Sequence, residues 1–224
     1  MINTPIIVFG FDDGHDDNYT IGKNIFDGKG KKFTTFVITS LIDTGTYLTS
    51  AHITQMIAAG YDIQCHTHTH PFMWTLTEAQ QNAEYEAVNL VFSNNGWPAP
   101  LHHAYPFGGF DANSKTYCAN YRLTARKIVA GTFTDIVDKF EIPAFDLNVP
   151  KNDRTKIDAL KAIMDDMALY PRYLTTYSHR FFEDADADPG SNAIQRSYME
   201  ELLDYADTKG ILVKTMSELY AYLT

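Results

Sequence analysis

Two cysteines, Cys65 and Cys118, are all the thiol chemistry in 224 residues. That is too few to staple a small secreted scaffold, so the fold must rest on a hydrophobic core. Long apolar runs are also missing, and none approaches the roughly 18 residues that a membrane-spanning helix needs. Met1 to Pro5 has no charged n-region and leads straight into an apolar run, so it does not read as a signal peptide. Basic charge is scarce: 18 Lys and Arg face 28 Asp and Glu, a formal net charge of −10. Such a chain is repelled by nucleic acid and by anionic membranes unless it carries a basic patch. Lys29, Lys31 and Lys32 are better read as a polar helix end. No glycine-rich loop follows the first apolar run, which removes support for a dinucleotide-binding fold. Cellular location stays open between a cytosolic protein and a domain of a larger extracellular or surface protein. The oligomeric state leaves no signature.

What is present is a core-forming composition. Hydrophobic residues make up 45% and aromatic residues 13%, with 14 Tyr and 14 Phe. The length suits one domain spanning residues 1–224. The aromatic surplus also suits a surface that stacks on sugar rings or other flat ligands. Short β-rich runs alternate with longer helical stretches. Residues 6–11, 33–39, 62–66, 101–105, 173–178 and 211–214 read as strands, and one more is expected over about 122–129. Residues 49–59, 77–94, 155–169 and 192–209 read as helices, and Gly60 stands where helices favour stopping. Strands this apolar have no wet face. The pattern therefore predicts an α/β fold, a distorted or incomplete (β/α) barrel of about seven parallel strands.

The unusual polar residues fall at strand C-terminal ends, which in such barrels form one face and carry the active site. Asp12 and Asp13 follow the first strand, His66 to His70 the third, Pro106-Phe107-Gly108 the fourth, and His179 the late strand LTTYS. His66 and His70, four residues apart, would face one side of a helical turn and bind one metal ion together. His68 would then point elsewhere, and Thr67 could brace a ligand. The bland alternative is a His-rich surface loop. Two adjacent carboxylates at the end of a buried strand repel each other, a cost that a cation offsets. One can ligate the metal while its neighbour takes a proton from water, which gives a His2Asp site with an open position. Helix capping, shared with Asp16, Asp17 and Asn18, is the competing reading of the Asp pair.

Taken together, these segments resemble the polysaccharide deacetylases of the NodB-homology type, carbohydrate esterase family four. FGFDDG (Phe9 to Gly14) is similar to the family's first motif and HTHTHP (His66 to Pro71) to its second. AYPFG (Ala104 to Gly108) resembles the third and YSH (Tyr177 to His179) the fifth. The resemblance spans residues 6 to 179. It implies a NodB-like barrel with Asp13, His66 and His70 as metal ligands, Asp12 as general base and His179 as general acid. The backbone N–H of Phe107 would help hold the oxyanion. The cofactor implied is one divalent ion, zinc first, with cobalt or nickel as alternatives. The partner implied is an acetylated glycan, deacetylated at nitrogen or oxygen.

Two departures accompany the resemblance. Many family members have Arg two residues before the third-motif Pro, where it orients the base; here Ala104 stands there. The fourth motif, whose Asp tunes the acid His, is not recognisable, and Asp135, Asp138 and Asp146 are candidates, Asp146 first. Two rival functions remain open: hydrolysis of a non-sugar C–N bond such as a cyclic amide, and a catalytically inactive, metal-containing glycan-binding domain. Phe72, Trp74, Tyr105 and Phe110 are candidates for a sugar groove or for core. His102 and His103 read as packing residues, and Cys65 as a buried thiol. Asp184, Asp186 and Asp188 fail as a calcium loop, because Gly190 falls one place late and Gln195 stands where the bidentate Glu belongs.

Overall fold

The computed structural model describes residues 4–129, 138–190 and 192–224. Its first strand, β1 (Ile6–Phe11), is buried on both faces, which a strand flanked by other strands and covered by helices must be. Next come α1 (Lys23–Gly28), β2 (Thr34–Val37), α2 (Ser50–Ala58), β3 (Asp62–Cys65), α3 (Glu78–Asn94) and β4 (His102–Ala104). Then follow α4 (Ala112–Cys118), β5 (Thr124–Arg126), β6 (Ala144–Asp146), α5 (Thr155–Leu169) and β7 (Tyr173–Ser178). The chain ends with β8 (Arg180–Phe182), β9 (Ala193–Gln195), α6 (Arg196–Thr208), β10 (Leu212–Lys214) and α7 (Met216–Leu223).

The main sheet is parallel, in the order β5-β4-β3-β2-β1-β7-β6. A bridge between Arg126 and Ile142 brings its two edges together, so the seven-strand ring nearly closes, as the strand–helix alternation predicts. β10 supplies an eighth strand. It pairs with Ile6–Val8 at the start of β1, whereas β2 pairs with Gly10 and Phe11 at its end. Sequence reading missed the short β8–β9 ribbon, where Arg180–Phe182 runs parallel to Ala193–Gln195.

Residue parity along β1 decides what faces where, because successive side chains alternate sides. Ile7, Phe9 and Phe11 join the large core under the helices, where Phe11 meets Phe26, Phe33 and Phe181 edge-on or tilted. Ile6 and Val8 join a second cluster with Ile142, Tyr173, Met216 and Leu219. That cluster includes Met216 and Leu219 of α7, which is held at its start by a reciprocal Thr215–Glu218 capping box. The same parity continues through Gly10 to Asp12, and across the register Ile6↔Tyr173, Val8↔Thr175, Gly10↔Tyr177 to His179. Asp12 and His179 therefore leave the ends of two neighbouring strands on one face.

Candidate active site

The ends of β1 and β3 turn sharply through residues that rarely adopt such backbone. Asp13 (φ 69°) and Gly14 (φ 77°) are left-handed, so the adjacent carboxylates of Asp12 and Asp13 part company. After β3 the chain does not form the helical turn expected from the His-x-x-x-His spacing. Thr67 (φ 67°) and His70 (φ 60°) are both left-handed, and the irregular bend between them brings the two imidazoles together. Thr67 braces it, its hydroxyl oxygen accepting the His70 backbone N–H at 3.0 Å. Glu84 of α3 accepts from the backbone N–H groups of His68 and Thr69, each at 2.8 Å, and from the Thr69 hydroxyl. The acceptor for these two amides thus comes from α3, a role that helical periodicity alone does not show. His68 points away, its Nδ1 lying 2.9 Å from the Thr39 hydroxyl.

Asp13, His66 and His70 meet at one point, their donor atoms all within 4.8 Å of one another. Asp13 Oδ1 is 3.4 Å from His66 Nε2 and 3.7 Å from His70 Nε2, and the two Nε2 atoms are 3.2 Å apart. The donor set fits a divalent ion. Asp13 Oδ1 is buried without a hydrogen-bond partner, and a buried carboxylate oxygen of that kind needs a cation. His66 Nδ1 lies 2.8 Å from the Ala104 carbonyl; donating its proton there leaves the Nε2 lone pair free for metal. Burial alone would raise the Asp13 carboxyl. The neighbouring imidazoles of His15, His66 and His179 outweigh it and hold the group well below the carboxylate range. Burial and the neighbouring His66 bring His70 down to about 4, so its ring is neutral at neutral pH. Among the described residues no other His, Cys, Asp and Glu group shares this geometry.

Asp12 is 4% exposed and faces Arg126, which is 2% exposed. Arg126 Nη2 lies 2.6 and 2.5 Å from the two Asp12 oxygens. This arginine answers the departure at Ala104, because Ala104 on β4 and Arg126 on β5 are register partners. The guanidinium missing from the third motif arrives from the residue directly across the next strand. Reading β5 as running on past Arg126 hid this; the strand ends on Arg126, and the strand-end rule used for the other residues would have singled it out. Phe36 and Tyr177 flank the guanidinium at 5.3 and 5.4 Å.

His179 sits on the other side of β1, and burial lowers its pKa below the usual 6.5. Its partner is not Asp146. Nδ1 lies 3.0 Å from Asn148 Oδ1, which also accepts from the Ser178 hydroxyl at 3.2 Å. Asp146 instead pairs with Lys156 at 2.7 Å and accepts the Asn148 backbone N–H at 2.9 Å. Asp138 pairs with Lys115, and Asp135 lies outside the described residues. His179 is therefore held by a neutral amide, two residues beyond the favoured carboxylate.

A pocket of about 600 Å³ joins these groups, lined by Asp12, Asp13, His66, His70, Phe107 and His179 among others. That size is typical of small-molecule sites. Phe107 holds a left-handed backbone (φ 57°) beside His70, ring centroids 4.5 Å apart. Of the other aromatic candidates, Tyr105 is buried and Phe110 stacks on it, whereas Phe72 and Trp74 stay partly exposed. His102 bonds Thr124, His103 packs between Tyr85 and Tyr105, and both cysteines are buried and unpaired.

A sequence profile described as polysaccharide deacetylase matches residues 3–126, more than half of the 224 residues. The chain belongs to the polysaccharide deacetylase family. A curated relative, "Putative polysaccharide deacetylase YxkH" of Bacillus subtilis (strain 168), is 30% identical over 105 residues. The match covers 47% of this chain and 38% of that protein, so the chain spans well under half of its length. Among solved structures, a family 4 carbohydrate esterase from Streptomyces lividans in complex with acetate has a TM-score of 0.63 at 17% identity, covering 95% of this chain and 93% of that one. A family 4 acetyl xylan esterase from Clostridium thermocellum, in complex with a cobalt ion, has a TM-score of 0.68 at 15% identity, covering 97% and 91%. At such identities the two structures attest the deacetylase fold.

Proposed function

We propose that this polysaccharide deacetylase family member is a metal-dependent hydrolase that removes acetyl groups from a glycan. The observation that carries this reading is the grouping of Asp13, His66 and His70 beside an independently held carboxylate, Asp12, and a buried imidazole, His179, in one pocket. A divalent ion held by Asp13, His66 and His70, with zinc the first choice, would supply a Lewis acid that polarises an acetyl carbonyl and acidifies water. Asp12 takes the proton from the attacking water. Arg126 fixes the orientation of that carboxylate and offsets the cost of burying its charge. His179 gives a proton to the departing amine or alcohol, its ring fixed by Asn148. The backbone N–H of Phe107 donates to the oxyanion. A binding module has no use for a base and an acid beside its ion, which favours the hydrolytic reading over the inert one.

The direct test is acetate release from chitin oligomers, peptidoglycan, poly-N-acetylglucosamine and acetylxylan by protein loaded with zinc, cobalt or nickel. Acetate from at least one of them supports the reading. Saturable binding without acetate would favour an inert domain, and ring opening of a cyclic amide would favour the non-sugar alternative.

A further inference from the structure

His15-Asp16-Asp17-Asn18 directly follows the Asp12-Asp13-Gly14 turn, and two of these side chains serve neither the metal-ligand cluster nor a helix cap. Asn18 opens a π-helical turn that runs to Gly22, and Asp17 stands at its N-cap without a side-chain cap bond. Asp and Asn are favoured at such a position because they satisfy the helix's own amides. Here both are buried, Asn18 completely and Asp17 to 5% exposure, so their polar groups need partners elsewhere.

They find them on the chain that carries His179. Strand β7 ends at Ser178, whose carbonyl accepts the Asp12 backbone N–H at 2.8 Å. One residue on, the His179 carbonyl accepts from the Asn18 side-chain amide at 2.9 Å. Asp17 accepts from Arg180 Nε at 2.9 Å and from the Phe181 backbone N–H at 3.0 Å. The Asn18 amide is itself held. Its Nδ2 also lies 3.2 Å from Asp17 Oδ1. Its Oδ1 lies 2.9 Å from the Thr35 hydroxyl of β2, which is 3.1 Å from the Phe11 carbonyl. At the far end of the turn, a Cβ on Gly22 would come within 2.3 Å of the Phe181 ring. The turn thus presses against residues 179–181, and Asn18 sits where the ends of β1 and β7 meet β2.

Asn148 meets His179 Nδ1 at 3.0 Å, which limits rotation of the ring but does not fix the backbone beneath it. Asn18 and Asp17 fix that backbone, from the same short segment that delivers Asp13. A proton donor misplaced by about 1 Å loses rate on the order of a hundredfold, so the spacing between the ion site and His179 has to be held. We propose that Asn18, braced by Thr35 and Asp17, is a positioning residue that sets His179 against the Asp13–His66–His70 cluster for proton delivery to the leaving group. This rests on the acid role proposed above for His179.

Leaving-group dependence tests it, because a general loss of fold lowers the rate on every substrate alike. A sugar amine or alcohol needs a proton to leave, whereas para-nitrophenolate leaves without one. Zinc-loaded Asn18→Ala is assayed on an acetylated glycan that the parent deacetylates and on para-nitrophenyl acetate, with bound zinc counted. Glycan kcat should fall roughly 10- to 100-fold, with KM, zinc content and the aryl ester rate near the parent values. Thr35→Val, which removes only the brace, should show the same split to a smaller degree, and Thr35→Ser should restore the parent rate. That pair carries the test where Asn18→Ala does not fold. An equal fall on both substrates, or no fall on either, overturns the positioning role. Crystals of the zinc-loaded parent and variants read the same claim without a substrate. The His179 ring should shift by about 1 Å or more against Asp13, His66 and His70, and an unmoved ring overturns the proposal. A displaced ring in the variants, with a parent that releases acetate from no glycan, overturns the deacetylase reading and leaves the positioning of His179 standing.

Discussion

Arg126 reaches Asp12 from the strand next to the one on which the family's arginine is expected. Its Nη2 lies 2.6 and 2.5 Å from the two carboxylate oxygens, and both side chains are almost wholly buried. Ala104, its register partner, leaves room for this approach. Removing one member of such a pair strands the other charge in a dry site, at a cost of about 3–5 kcal/mol. Arg126→Gln should therefore lower thermal stability and cut kcat on the order of a hundredfold, the scale on which a displaced catalytic group loses rate, with a smaller effect on KM. Adding Ala104→Arg to that variant should recover part of kcat. Parent kinetics in Arg126→Gln would remove the arginine from the account.

Metal and fold should be linked. A ligand that binds only the native state raises stability by mass action, so excess zinc should raise the melting temperature and a chelator should lower it. His66→Ala and Asp13→Ala should abolish that response, as read by differential scanning calorimetry with and without zinc. A zinc response undiminished in both variants would place the ion elsewhere.

The neutral partner of His179 has a consequence for pH. Burial lowers the His179 pKa below the ordinary 6.5, so the acid form is present only below that lowered value. Activity that needs it should fall as pH rises through the same point. Asn148→Asp places an opposite charge at the position of Asn148 Oδ1, 3.0 Å from Nδ1. That should raise the His179 pKa by roughly one unit or more and move the alkaline limb of kcat/KM to higher pH. An alkaline limb that does not move would separate His179 from proton delivery.

Gly10 tests the packing that places the site. A Cβ there would come within 2.8 Å of the Thr176 carbonyl oxygen on β7, forcing apart the two strands that deliver Asp12 and His179. Gly10→Ala should destabilise the protein by about 1–3 kcal/mol, measured by urea denaturation, and lower kcat as well. A variant of unchanged stability would show that β1 and β7 have slack at this point.

The sequence shows the barrel, because its strands and helices have distinct periods and its polar residues cluster at strand ends. Helix Thr155–Leu169 falls on the residues that periodicity predicts, since it carries a clean apolar stripe between polar flanks. The family motifs around Asp12, His66 and His70 are legible as well, being contiguous. Two supports were hidden for physical reasons. Arg126 acts across a strand register, which local sequence does not encode. Asn148 replaces a charged residue by a neutral one, so a search for carboxylates passes over it in favour of Asp146. The His66–His70 bend was misread as a helical turn because a four-residue spacing fits a helix, while two left-handed residues achieve the same convergence.

The central claim is that Asp12 acts as base beside an ion held by Asp13, His66 and His70. Its most direct test is acetate release by Asp12→Asn on whichever acetylated glycan the parent protein deacetylates, with bound zinc counted in the same samples. The account predicts a variant that is folded, keeps the parent zinc content and releases acetate at least a hundredfold more slowly, as loss of a general base requires. Acetate release near the parent rate by zinc-loaded Asp12→Asn would contradict it.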